Sequence, residues 1–250
     1  MANYAISDLH GRMDLWNQIK NFIKEDDKIY FLGDAIDRGP DGWELMKDLL
    51  SDKRVVYFWG NHEDMILHAI DDIIQRNIHP ENCYPSSAMA LWYYHNGGYT
   101  TYNQMIQDPD WKDWIEILQK NATYSYDIYY HDKPNLHLCH AGYSVYDPYS
   151  RPEETYDLFW DRTHIVDLQW NKMDGIMIHG HTPIPSLFKK LKQFDNIYDN
   201  LTLEPGALWY AGDHKICIDN GSFATGITCL LNLDDWTENI FTAEPDYSFF

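Results

Sequence analysis

The sequence predicts an α/β fold, on three observations. Short apolar runs alternate with helical periodicity through the first sixty residues, further apolar runs return after residue 134, and polar clusters stand where those runs end. Continuous apolar strands separated by helices point to a largely parallel sheet covered on both faces. Residues 3–7 (NYAIS) read as the first strand, and 12–25 as a helix with Leu15, Trp16, Ile19 and Phe22 at helical spacing. Residues 28–32 form a second strand, 41–50 a helix and 54–59 (RVVYFW) a third strand. From 64 to 121 the pattern is mostly helical, with breaks near Pro80, Pro85 and Gly97-Gly98. Strand-like runs follow at 135–140, 174–179, 214–219 and 226–232, while the acidic, aromatic stretch 233–250 carries no pattern that places it. There is no Pro- or Ser-rich linker and no repeat at a fixed period. The 250 residues therefore read as a single domain, 1–250, with a helical, aromatic-rich insertion over about 64–130.

Composition narrows the class of function. With 44% hydrophobic and 16% aromatic residues there is ample material for a core. A net charge of −20 repels nucleic-acid phosphates and anionic membranes, so neither is an expected partner. No apolar run approaches the ~18 residues of a membrane-spanning helix, and the N-terminal MANYAISDLHG lacks the features of a secretory signal. Four cysteines at 83, 139, 217 and 229 lack CxxC spacing, which fits reduced thiols and a cytoplasmic location.

Every polar cluster ends a strand: Asp8-Leu9-His10-Gly11, then Gly33-Asp34-Ala35-Ile36-Asp37-Arg38-Gly39, Gly60-Asn61-His62-Glu63, His140-Ala141-Gly142 and His179-Gly180-His181-Thr182. Ligand sites in α/β proteins form at the carboxyl ends of strands, so these loops should converge on one crevice. One Asp-x-His is ordinarily a capped turn; five clusters at five strand ends are not. Carboxylate, imidazole and amide oxygen suit divalent transition ions, with Mn first and Fe or Zn as alternatives, and a pair of such ions needs a bridging anion that an Asp in a tight glycine-flanked loop supplies.

DLHG, GDAIDRG, GNHE, HAG and GHTP, in this order, resemble the motifs of the calcineurin-like metallophosphoesterases, in particular the bacterial and phage-type branch of serine/threonine phosphoprotein phosphatases. A trailing ICIDNGSF (216–223) is similar to that branch's closing segment. The resemblance implies a four-layer αββα sandwich with a dinuclear site in its central crevice. It further implies that Asp8 and His10 bind the first metal, that Asp34 bridges, and that Asn61, His140 and His181 complete the second. His62 would be the general acid, held by Asp37. Arg38 and Arg162 would grip the phosphate, together with Asn61, and the reaction would be in-line attack by a metal-bridging hydroxide. The implied activity is phosphomonoester hydrolysis, with phosphoproteins or phosphopeptides as substrate partners.

The chain departs from the family in one place: the Arg that usually precedes GNHE is here Trp59, and Arg12, just past DLHG, is the expected substitute. Three further residues read as structural: His179, with a side role near the site left open, His68 as a satisfied histidine, and Cys139 as a buried strand residue. The segment 84–130 holds nine tyrosines with Trp92, Trp111 and Trp114, readable as the core of the insertion or as a peptide-binding wall. Two rivals stand beside the phosphatase. One is hydrolysis of a dinucleoside polyphosphate such as diadenosine tetraphosphate, whose enzymes spell ARG and GNHD where this chain has DRG and GNHE. The other is a non-catalytic binding module on the same fold.

Overall fold

The computed structural model describes residues 1–142, 155–166, 175–194 and 202–245. Two five-stranded sheets lie face to face. The first contains β1 (Asn3–Ile6), β2 (Lys28–Phe31), β3 (Val55–Tyr57), β9 (Ile227–Asn232) and β10 (Glu238–Thr242), in the order β10-β9-β1-β2-β3. The second contains β4 (Ser125–Ile128), β5 (Leu136–Cys139), β6 (Ile176–His179), β7 (Leu208–Tyr210) and β8 (Lys215–Cys217), in the order β4-β5-β6-β8-β7. The apolar runs that pointed to a largely parallel sheet divide between two mixed ones, as an αββα sandwich requires. The triplets β1-β2-β3 and β5-β6-β8 are parallel, while β9, β10, β4 and β7 add antiparallel strands at the margins.

Period-two alternation builds the layers. Ala5, Tyr30 and Phe58 point toward the other sheet and meet Leu136, Leu138, Ile176, Ile178 and Ile216. Their neighbours Ile6, Phe31 and Tyr57 point outward, against α1 (Met13–Phe22), α2 (Gly42–Ser51) and α3 (Asn61–Arg76). In α1, Leu15, Trp16 and Ile19 are fully buried, each such side chain contributing ~1.5–3 kcal/mol. On the far side α8 (Ile184–Phe194) lays Ile184, Leu187, Phe188 and Leu191 on the second sheet. The result is the four-layer αββα sandwich with a helical insertion.

That insertion contains α4 (Ala88–Ala90), running into one wide helical turn at Leu91–His95, then α5 (Tyr99–Met105) and α6 (Trp111–Asn121). β4, which falls within the expected insertion range, belongs instead to the second sheet. Trp92, Tyr102, Met105, Ile115 and Leu118 join the core, whereas Tyr84, Tyr94 and Tyr129 are exposed. Asp108 pins this layer to α2: its Oδ2 accepts from Lys47 Nζ at 2.7 Å and Trp43 Nε1 at 3.0 Å. These donors, Lys47 first, pull its carboxyl down to about 2. Because that lies below the unfolded value, the linked stability is present above about pH 4 and is lost as pH falls toward 2. Asp108→Asn is expected to cost about 1 kcal/mol at pH 7 after solvent screening. Urea midpoints at pH 7 and pH 3 test this, and the gap between variant and parent should narrow at pH 3.

Candidate active site

The polar clusters meet in the loops that leave β1, β2, β3, β5 and β6 at their carboxyl ends. These loops are bent hard. Asp8, His10, Asp34, Asp37, Arg38 and His181 all hold left-handed backbone, with φ between 43° and 70°, which costs a residue bearing a side chain ~1–2 kcal/mol. Two glycines permit the close approach that follows. A Cβ on Gly60 would strike the Asp34 backbone and carboxylate, and one on Gly180 would strike the Asp8 carboxylate and the Ser7 hydroxyl.

Glu63 holds the strained loops together. It is fully buried, and its Oε2 accepts the amides of Asp34 (2.8 Å) and Gly60 (3.0 Å) while Oε1 accepts the Ala35 amide and the Tyr57 hydroxyl, both at 2.9 Å. Sequence reasoning quoted Glu63 within GNHE and assigned it no role, since nothing local shows that one carboxylate serves two loops.

Asp34 is the hub. Its Oδ1 accepts the His62 amide at 3.0 Å and so caps α3. Its Oδ2 lies 3.5 Å from His140 Nε2, 3.7 Å from His10 Nε2 and 4.0 Å from His62 Nε2. His10 Nδ1 donates to the Ile36 carbonyl at 2.9 Å and His140 Nδ1 to the Leu32 carbonyl at 2.6 Å. A carbonyl only accepts, so each Nδ1 carries the proton and a neutral ring presents a lone pair at Nε2. At His140 that lone pair faces Asn61 Oδ1 at 3.1 Å as well as Asp34 Oδ2. His181 Nδ1 lies 2.9 Å from the same Asn61 oxygen, and its Nε2 is buried without a partner among the described residues.

Asp34 Oδ2, Asn61 Oδ1 and His140 Nε2 are acceptors that converge on one another, and at His10 and His62 the Arg38 guanidinium supplies positive charge, so the donor set fits divalent metal ions. Ligand atoms of His10, Asp34 and His62 lie within 4.8 Å of one another, as do those of Asp34, His140 and His181. Asp34 belongs to both groups, the position a bridging ligand requires. Asp8 differs from expectation: its carboxylate turns to the His181 amide, 3.0 Å from Oδ2, and it stands in neither group.

Charge supports the same reading. Burial drives His10, His62 and His181 well below the ordinary imidazole range, with Arg38 adding to the effect at His10 and His62. Burial, then the Asp8 and Glu63 charges, push Asp34 well above the usual carboxylate range. Burial and Asp8 do the same to Asp219, which had been read only as part of the closing segment. A crowd of carboxylates and neutral imidazoles is stabilised by dications.

His62 Nδ1 lies 2.7 Å from Asp37 Oδ2, both side chains being fully buried. Arg38 forks between two rings, with Nη1 2.7 Å from His10 Nε2 and Nη2 2.9 Å from His62 Nε2. Arg162, exposed just past α7 (Thr155–Trp160), is close enough to feel the charges of Asp34 and Asp8.

The remaining residues singled out in the sequence sit around this centre. Arg12 is not a phosphate ligand: it is buried, bonded to Asp14 and to the carbonyls of Ser222 and Glu244, and so ties the first loop to the C-terminal segment. Trp59 is buried with its ring stacked on Tyr124, 6.2 Å between centroids, which leaves no free indole face for a base. His179 bonds to the Gly180 carbonyl and the Tyr210 hydroxyl, holding the loop that bears His181. His68 is exposed on α3 with its Nε2 3.4 Å from Asp64 Oδ1, and Cys139 is buried on β5 as expected.

The sequence profile of calcineurin-like phosphoesterases matches residues 4–217. The chain belongs to that family. Solved structures similar to this chain include a candidate diadenosine tetraphosphatase (TM-score 0.60, 12% identity, 98% of this chain and 94% of that one). They also include a protein serine/threonine phosphatase from Saccharomyces cerevisiae with similarity to human PP5 (TM-score 0.51, 14% identity, 99% and 82%). At such identities they show the fold. Among curated proteins, a symmetrical bis(5'-nucleosyl)-tetraphosphatase of Aliivibrio salmonicida is 37% identical over 81 residues, 30% of this chain and 29% of the relative. One of Pseudomonas fluorescens is 25% identical over 146 residues, 57% and 43%. This phosphoesterase thus spans less than half the length of those relatives. The family uses divalent metal ions, and the two groups around Asp34 are where this member presents ligand atoms.

Proposed function

We propose that this phosphoesterase hydrolyses phosphoserine or phosphothreonine monoesters in proteins, with two divalent ions, Mn foremost, held by Asp34, His10, His140, His181 and Asn61, and with Asp8 alongside. The observation that carries the reading is the buried His62–Asp37 pair, 2.7 Å apart and beside the Asp34 hub. A serine alkoxide is a poor leaving group and needs a proton as its bond to phosphorus breaks. A nucleotide leaving from a phosphoanhydride is already a stable anion and needs one far less.

Bound metal ions lower the pKa of water and neutralise charge on the phosphoryl oxygens. The protein's own groups supply the rest. His62 passes its Nε2 proton to the departing oxygen, and Asp37, accepting from Nδ1, stabilises the charged ring. Arg38 leaves the two imidazoles for the phosphate, where its fork suits two oxygens. That exchange takes a positive charge from His62 and brings a dianion near, which favours the protonated acid. Beside the site, Trp160, Asp64, Met65, His68 and Leu91 line a groove of about 540 Å³. Asn61, Asp64 and His68 share one face of α3 by their i, i+3, i+7 spacing, so the groove leads away from the hub and offers space for residues flanking the phosphate.

A second reading, dinucleoside tetraphosphate hydrolysis, is favoured by the named activity of the sequence relatives. Turnover with added Mn²⁺ on phosphoserine/phosphothreonine peptides, diadenosine tetraphosphate and p-nitrophenyl phosphate separates the two. Preference for the peptides is the expected result, and preference for the dinucleotide would replace the phosphatase reading.

A further inference from the structure

We propose that residues 92–101 of the aromatic insertion form a clasp that positions the general acid, with the Trp92 indole N–H as its working contact. The inference rests on the reading of His62 and Asp37 as acid and orienting carboxylate. Trp92 Nε1 donates to Asp37 Oδ2 at 2.8 Å, the same oxygen that faces His62 Nδ1. The Asp37 amide donates to Thr101 Oγ1 at 2.8 Å, and the Arg38 amide donates to the Gly97 carbonyl at 3.1 Å. Three hydrogen bonds from ten residues therefore hold a pair that is left-handed at both positions, φ 70° and 65°.

The clasp is rigid. Trp92 is fully buried, and Gly98 lies so close over its indole that a Cβ there would overlap the ring. Gly97, at φ +79°, packs closely on Arg38, where a Cβ would stand 3.0–3.2 Å from its Cγ, N and Cα. Thr101 is fully buried too. The Trp92 N–H and the His62 ring both meet the Asp37 carboxylate at Oδ2, and the Thr101 hydroxyl also stands against it. Without the indole N–H the carboxylate loses one of the contacts that fix its last torsion, and the aim of His62 loosens with it. Trp92 is a positioning residue; it acts through Asp37.

The test uses Trp92→Phe, which keeps the aromatic bulk and removes the donor. For a phosphoserine peptide, kcat should fall by about 10-fold at unchanged KM, a part of the ~10²–10⁴-fold a general acid supplies. For p-nitrophenyl phosphate, whose leaving group scarcely needs a proton, kcat should stay within about twofold. Asp37→Asn is measured on both substrates, alone and combined with Trp92→Phe. In the Asp37→Asn background Trp92→Phe should add no further loss, because the two act on one interaction. Selective loss in Asp37→Asn with equal loss on both substrates, or none, in Trp92→Phe overturns the clasp and leaves the acid in place. No selectivity in Asp37→Asn removes the general acid and the clasp with it. If Trp92→Phe fails to fold, Thr101→Val, which removes the acceptor for the Asp37 amide, takes its place under the same criteria.

Discussion

Asp34→Asn is expected to empty the site of metal and abolish turnover while leaving the fold in place. Oδ1 of Asp34 caps the His62 amide, a bond an asparagine oxygen also makes, and asparagine tolerates left-handed backbone as well as aspartate does. What is lost is the anionic Oδ2 shared by His10, His62 and His140. A ligand common to both groups should matter more than the ~10–100-fold that changes behind the ligands cost. Metal content of the purified variant, its thermal melt and its turnover of p-nitrophenyl phosphate with Mn²⁺ form the test. A folded variant with two metal ions per chain and substantial kcat would refute the bridging position.

His62→Asn is expected to split substrates by leaving group. Phosphoserine hydrolysis should slow by ~10²–10⁴-fold, and p-nitrophenyl phosphate hydrolysis much less. His62 stands at the start of α3, where its amide is bound by Asp34, so asparagine keeps the backbone contact. Its ring also stands in one of the two candidate metal groups, with His10 and Asp34. The leaving-group comparison separates the roles, because a lost metal contact slows both substrates alike whereas a lost proton donor slows the alkoxide. Equal loss on both would therefore assign His62 to metal binding and end its role as the acid.

The parallel strands were legible because each is a continuous apolar run, and their boundaries shift by at most two residues in the structure. The strands at β4, β7 and β10 were not. Each sits at a sheet edge, is three to five residues long, and carries tyrosine, tryptophan or charge on an exposed face, so local pattern does not separate it from a loop. Likewise, apolar runs do not reveal whether they pair in one sheet or two; that depends on which strand lies next to which.

The site divides in the same way. His10, Asp34, Asn61, His62, His140 and His181 were readable because each lies within five residues of a strand's end, where the chain must turn and where polar side chains serve no core. Arg12 misled because two of its partners, the carbonyls of Ser222 and Glu244, are more than two hundred residues away in the chain. Trp59 sits in a motif position, yet Tyr124 covers its face. Trp92 looked like one aromatic among many until its indole met a carboxylate 55 residues distant.

By itself the sequence determined the α/β class, the positions of the parallel strands and the side chains that crowd their ends, since those follow from periodicity and from motifs a few residues long. Only the tertiary structure decided which carboxylate is the hub, that Glu63 ties two loops, that Arg12 is a strut and that the insertion grips Asp37. Each of those depends on a hydrogen bond between segments far apart in the chain, and its geometry exists only once the layers have packed.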